Sequence, residues 1–88
     1  MPYQLEFRSE ALDDLRGMDK AVAQRVLRRL KWLAENLDFM GHEELSSEFS
    51  GLFKFRVGSY GVIYDLNPAS HMLIVHRVGH RSEVYKRK

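Results

Sequence analysis

The 88-residue chain carries a formal net charge of +2, no cysteine, 44% hydrophobic and 30% charged residues. It fits one small domain over residues 1–88, whose core covers somewhat over half of the surface exposed by the unfolded chain. Without cysteine there are no disulfides and no thiolate metal centres, in keeping with a reducing compartment. The opening MPYQLEFRSE has no basic segment followed by an apolar one, and no run reaches membrane-spanning length, so a soluble cytoplasmic protein with no membrane association is expected.

In chain order, YQLEFR alternates Tyr3, Leu5 and Phe7 with Gln4, Glu6 and Arg8, the period of a half-buried strand. Ser9 is placed to cap a short helix with Ala11, Leu12, Leu15 and Met18 on one face and Gly17 as its stop. Asp19 can cap a longer helix, in which Val22, Val26, Leu30, Leu33 and Leu37 recur at helical spacing. The other face of that helix carries Arg25, Arg28, Arg29 and Glu35, either a phosphate grip or an ordinary solvated face, and Trp32 reads as packing. Residues 38–50 have no clear period and read as a connection with a helical turn.

From residue 52 onward the pattern is that of an antiparallel meander. Gly58-Ser59 suits a two-residue hairpin loop with glycine first. That loop sets Val57 opposite Tyr60, Phe55 opposite Val62 and Phe53 opposite Tyr64, six apolar or aromatic side chains on one face. NPAS at 67–70 makes the next turn, and HMLIVHRVG makes a strand apolar enough for the middle of a sheet. The expected architecture is α+β: an N-terminal strand, a two-helix hairpin, then about three antiparallel strands, with the helices on one face of the sheet.

The same register puts Leu52, Lys54 and Arg56 on the other face, beside Gly61, Ile63 and Asp65. Two cations at i and i+2 on a strand repel each other, which is useful only when an anion sits over them or when a carboxylate such as Asp65 or Glu48 pairs with each. The end of the chain adds to this: residues 71–88 hold Arg77, Arg81, Lys86, Arg87 and Lys88 against Glu83 alone. A positive region of this kind suits a polyanion, or is simply a solvated tail. His76 and His80 are four apart, a spacing that converges on a helix but not on a strand. With His71 they have no carboxylate or cysteine cluster to complete a metal set, so neither metal nor cofactor is expected.

GLFKFRVGSYGVIYDL followed by IVHRVGHRSEVY, together with the opening YQLEFRSEALDDLRGMDKAVAQRVLRRL, resembles the RelE/ParE superfamily of bacterial toxins over nearly the whole chain. The ending GHRSEVY resembles the RelE branch, whose members cut messenger RNA in the ribosomal decoding site, more than the ParE branch, which poisons DNA gyrase. The resemblance implies cleavage without a metal, by attack of the substrate's 2′-hydroxyl on the adjacent phosphate. It implies Lys54 for activating the nucleophile, Arg56 for holding the phosphate, Arg81 for the leaving group or scissile phosphate, and Tyr85 for stacking on a base. Apart from the resemblance, His80, next to Arg81, is a candidate to touch substrate or donate a proton, and Lys86 of the basic end is a candidate RNA contact. Neighbouring cations disfavour one another's charged forms, which gives Lys54 a route to acting as a base. Arg81 equally reads as a partner of Glu83, and Tyr85 as a pin for the tail. The partners implied are a cognate antitoxin, the ribosome and mRNA, with DNA reached only through the antitoxin. The departure is Gly61, where the family has an arginine on the phosphate. It reads as an inactivating substitution, as natural attenuation, or as a mark of gyrase inhibitors or a non-catalytic binding module of the same fold.

Overall fold

The computed structural model describes residues 2–37, 43–44 and 52–86. Strand β1 (Gln4–Phe7) half-buries Leu5 and Phe7 and exposes Gln4 and Glu6, as the alternation requires. Helix α1 (Ser9–Arg16) and helix α2 (Lys20–Glu35) follow, separated by Gly17-Met18-Asp19. Asp19 caps α2 as expected, its carboxylate accepting from the Ala21 N–H at 3.2 Å. Ser9 does not cap α1. It is the first helical residue, preceded by extended Arg8, and its hydroxyl donates to Glu10 Oε1 at 3.2 Å. Gly17 ends α1 in an ordinary right-handed conformation, so its role there is to stop the helix without a left-handed turn.

Strands β2 (Glu43–Glu44), β3 (Phe53–Val57), β4 (Tyr60–Asn67) and β5 (Met72–His80) complete a sheet of order β1-β5-β4-β3-β2. The short β2, antiparallel to β3, lies where no strand was expected. The remainder of 38–50, Glu48 included, lies outside the described residues. The hairpin register is as the turn predicts, with Phe53 on Tyr64, Phe55 on Val62, Arg56 on Gly61 and Val57 on Tyr60. Gly58 has φ +59°, the left-handed value that the first loop position of this turn requires. β1 joins β5 in parallel, so the chain's first strand closes against its last. The second turn runs one residue further than NPAS: His71 has φ 53° and stacks edge-on against Tyr3, and β5 begins at Met72.

The core lies between one sheet face and helices α1 and α2. Val26, Leu30 and Leu33 of α2 and Ala11 of α1 meet Phe55, Val62, Tyr64, Leu73, Val75 and Val78. Trp32 is not part of it; it is 39% exposed and lies under the Arg29 guanidinium, 4.7 Å from its ring centroid. Beyond the end of β1, α1 lies beside β5. There Asp14 accepts from the Val78 N–H at 2.9 Å and from Arg77 Nε and Nη2 at 2.8 and 2.9 Å. A carboxylate thus satisfies the strand edge where a neighbouring strand is missing. An additional short helix, α3 (Arg81–Val84), folds onto the opposite face, where Val84 and Tyr85 pack on Ile63 and Leu52.

Candidate RNA-binding cleft

Because alternate residues of a strand face opposite sides, burying Phe53, Phe55 and Val57 against the helices leaves Lys54 and Arg56 on the far side. β5 ends at His80 next to the start of β4, as Tyr60 pairs with His80, and α3 begins at once. The Arg81 N–H bonds the Ser59 carbonyl in the hairpin loop at 2.9 Å, which ties the start of α3 to the β3–β4 turn. The His80 side chain caps α3, its Nδ1 accepting from the Ser82 N–H at 3.3 Å and lying 2.8 Å from Ser82 Oγ, while its ring stands edge-on to Tyr60.

The result is a cavity of about 350 Å³ lined by Lys54, Arg56, Ser59, His80, Arg81, Ser82 and Tyr85. Five of the residues singled out in the sequence, from two distant segments, therefore meet at one place. Arg56 and His80 are exposed, and Lys54, Arg81 and Tyr85 are half-buried. The Lys54 ammonium lies 5.4 Å from the centroid of the Tyr85 ring, and the Tyr85 hydroxyl donates to the Phe55 carbonyl at 3.3 Å. Tyr85 is thus a pin for the tail and a wall of the cleft at once. Ser59 and Ser82 are lining residues that the sequence did not single out; small hydroxyl residues in turns carry no pattern of their own.

Lys86 is exposed on the turn after α3 and does not line the cavity. Arg77 is committed to Asp14, whose hydrogen bonds raise its proton affinity above that of an ordinary guanidinium, so it does not add to the basic surface. Arg87 and Lys88 lie outside the described residues. His76 is separated from His80, stands 4.0 Å from Asp65, and is held below the usual histidine range by burial and by Arg8. The α2 arginines belong to the helix side: Arg29 lies over Trp32 and Phe55, and Arg25 reaches the Gly58 turn. Gly61 is buried, and the ring of Tyr85 lies on it.

A small α+β domain with a cationic, aromatic-walled cleft on the open face of its sheet is the class this geometry defines. The model of the ParE toxin of type II toxin-antitoxin systems, parDE, matches residues 5–85, and the chain belongs to that family, within the RelE/ParE superfamily of toxins. It is 25% identical over 87 residues to Toxin RelG of Mycobacterium tuberculosis, across 99% of this chain and 100% of that protein. It is 28% identical over 87 residues to a putative RelE-like toxin protein of Escherichia coli, across 97% of this chain and 92% of that one. The fold is similar to that in the toxin–antitoxin complex RelBE2 from M. tuberculosis, with TM-score 0.82 and 24% identity over 92% of this chain and 100% of that chain. It is also similar to the intact E. coli RelBE complex, with TM-score 0.73 and 21% identity over 89% of this chain and 95% of that chain.

Proposed function

We propose that this toxin is an endoribonuclease of the RelE kind, cutting mRNA on the ribosome and so arresting translation and growth in the cytoplasm. The observation that carries the reading is the convergence of Lys54, Arg56, Arg81, His80 and Tyr85 on one cavity. Cleavage by a substrate's own 2′-hydroxyl needs a proton acceptor, positive charge over the phosphoryl oxygens, and a donor for the departing 5′-oxygen. Lys54 is the acceptor that takes the 2′-hydroxyl proton. The 2′-oxygen then bonds to phosphorus, Arg56 and Arg81 stabilise the charge that grows there, and the P–O5′ bond breaks with a proton delivered from Arg81 or His80. The products are a 2′,3′-cyclic phosphate and a 5′-hydroxyl, and protons balance without an external reagent. The Tyr85 ring offers a base a stacking surface worth about 1–3 kcal/mol.

A cognate antitoxin is the implied partner, because the M. tuberculosis and E. coli structures with this fold are toxin–antitoxin complexes. The exposed Leu27 and Trp32 of α2 and the edge strands β1 and β2 are the surfaces we assign to it. The parDE description of the matching family model favours a second reading, inhibition of DNA gyrase.

The two readings separate in one experiment. Purified protein is mixed with programmed ribosomes and mRNA, and in parallel with gyrase and relaxed plasmid. Cuts in the A-site codon, reduced roughly a hundredfold or more in Lys54→Ala and Arg81→Ala, are expected. Intact mRNA together with blocked supercoiling would overturn the nuclease reading in favour of gyrase.

A further inference from the structure

The position at which the resemblance places a phosphate-binding arginine is covered in this fold by the protein itself. Gly61 lies in β4 directly opposite Gly79 of β5, and the pair makes a flat floor on which Val84 and Tyr85 rest. The two glycines are not equivalent. A Cβ added at residue 79 would stand 3.4 Å from Val84 Cβ, within ordinary contact. A Cβ added at residue 61 would collide with the Tyr85 phenol, meeting its Oη, its Cζ at 2.5 Å and its Cε1 at 2.9 Å. Glycine weakens a strand interior and is expected there where another group must approach the backbone closely, and the Tyr85 ring is that group.

The ring is held in its seat by the hydroxyl on the Phe55 carbonyl, by the apolar cluster of Leu52, Ile63 and Val84, and by the Lys54 ammonium over the ring. We propose that Gly61 is a positioning residue, and that its lack of a side chain lets Tyr85 lie on the sheet with its ring fixed against Lys54 before RNA enters the cleft. An arginine at 61 and the seated Tyr85 exclude each other, so at this position the cleft presents a preorganised aromatic wall and no cation. The role in cleavage rests on the nuclease reading; the seat itself does not.

The test uses the full chain as wild type, Gly61→Ala, Tyr85→Ala and the double variant. Gly61→Ala is expected to shift the folding equilibrium at least about fivefold more when Tyr85 is present than in the Tyr85→Ala background. In NMR spectra, the ring current of Tyr85 displaces the Lys54 ε-methylene protons, and Gly61→Ala abolishes that displacement as fully as Tyr85→Ala does. At a temperature where every variant is folded, Gly61→Ala lowers ribosome-dependent cleavage about tenfold, the loss of one stacking surface, and Gly61→Arg lowers it too. Additive folding effects with an unmoved Lys54 signal would overturn the seat. Normal or increased cleavage by Gly61→Ala or Gly61→Arg would overturn the positioning role. A wild type that leaves mRNA intact would overturn the nuclease reading and the role with it, while folding and NMR still decide the seat.

Discussion

Removing the Asp14 carboxylate tests how the end of β5, and with it the start of the cleft, is held in place. Asp14 is 17% exposed and gives three hydrogen bonds a common acceptor, two from Arg77 and one from the Val78 N–H. In Asp14→Ala the Val78 N–H, in a residue only 3% exposed, is left without its acceptor, and an unpaired buried donor costs about 1–3 kcal/mol. The Arg77 side chain is 30% exposed, so water recovers part of its lost pairing. Discounting the ion pair for that solvent access, the two losses come to about 2–4 kcal/mol, a large part of a stability on the order of 5–15 kcal/mol. For a domain of this size that lowers the melting temperature by roughly 10–20 °C. Urea denaturation followed by circular dichroism reads the change as a lower midpoint at constant slope. Asp14→Asn, which keeps one oxygen for the Val78 N–H, is expected to lose about half as much, and Arg77→Met less than Asp14→Ala. An Asp14→Ala protein within about 0.5 kcal/mol of wild type would refute the idea that this carboxylate stands in for a missing strand.

Two further outcomes follow from single groups. Asp19→Ala removes the acceptor for the Ala21 N–H at the start of α2 and is expected to cost about 1 kcal/mol, with Asp19→Ser largely neutral, by the same denaturation measurement. Tyr64, 2% exposed in the core, has its ionisation pushed up to about 12 by burial. The folded state therefore disfavours the phenolate relative to the unfolded chain, so this contribution to stability is complete below about pH 10 and lost as the pH rises from about 10 to about 12. Ultraviolet titration should show one of the four tyrosines ionising last, in step with unfolding, and Tyr64→Phe should remove that step.

How far each part of the molecule can be read from the chain depends on how local its cause is. Asp19 caps α2 and Gly58 turns the hairpin because both act within a few residues, and once the turn is set, strand pleating decides that Lys54 and Arg56 face away from Phe55. Ser9 failed as a cap because extended Arg8, hydrogen-bonded through its N–H to the Val75 carbonyl, delivers the chain from β1 directly into the helix. Arg77 looked like part of a basic tail because its partner, Asp14, is on another element 63 residues away. The apolar ring of Trp32 reads as packing, but what it packs against is set by the fold: α2 turns it outward, where Arg29 covers it.

The chain's own periodicities, turn residues and charges determined the first strand, the two helices after it and the three closing strands, the hairpin register, and the side of the sheet on which Lys54 and Arg56 stand, because each arises from neighbours in sequence or across a two-residue loop. What covers Gly61 was decided only when α3 folded back on the sheet. The residue that fills the space, Tyr85, is 24 positions later in the chain, and nothing local to either position encodes the contact. In the sequence alone that glycine reads as the loss of a functional arginine. In the folded molecule it is the place where an aromatic side chain comes to rest against the lysine of the cleft.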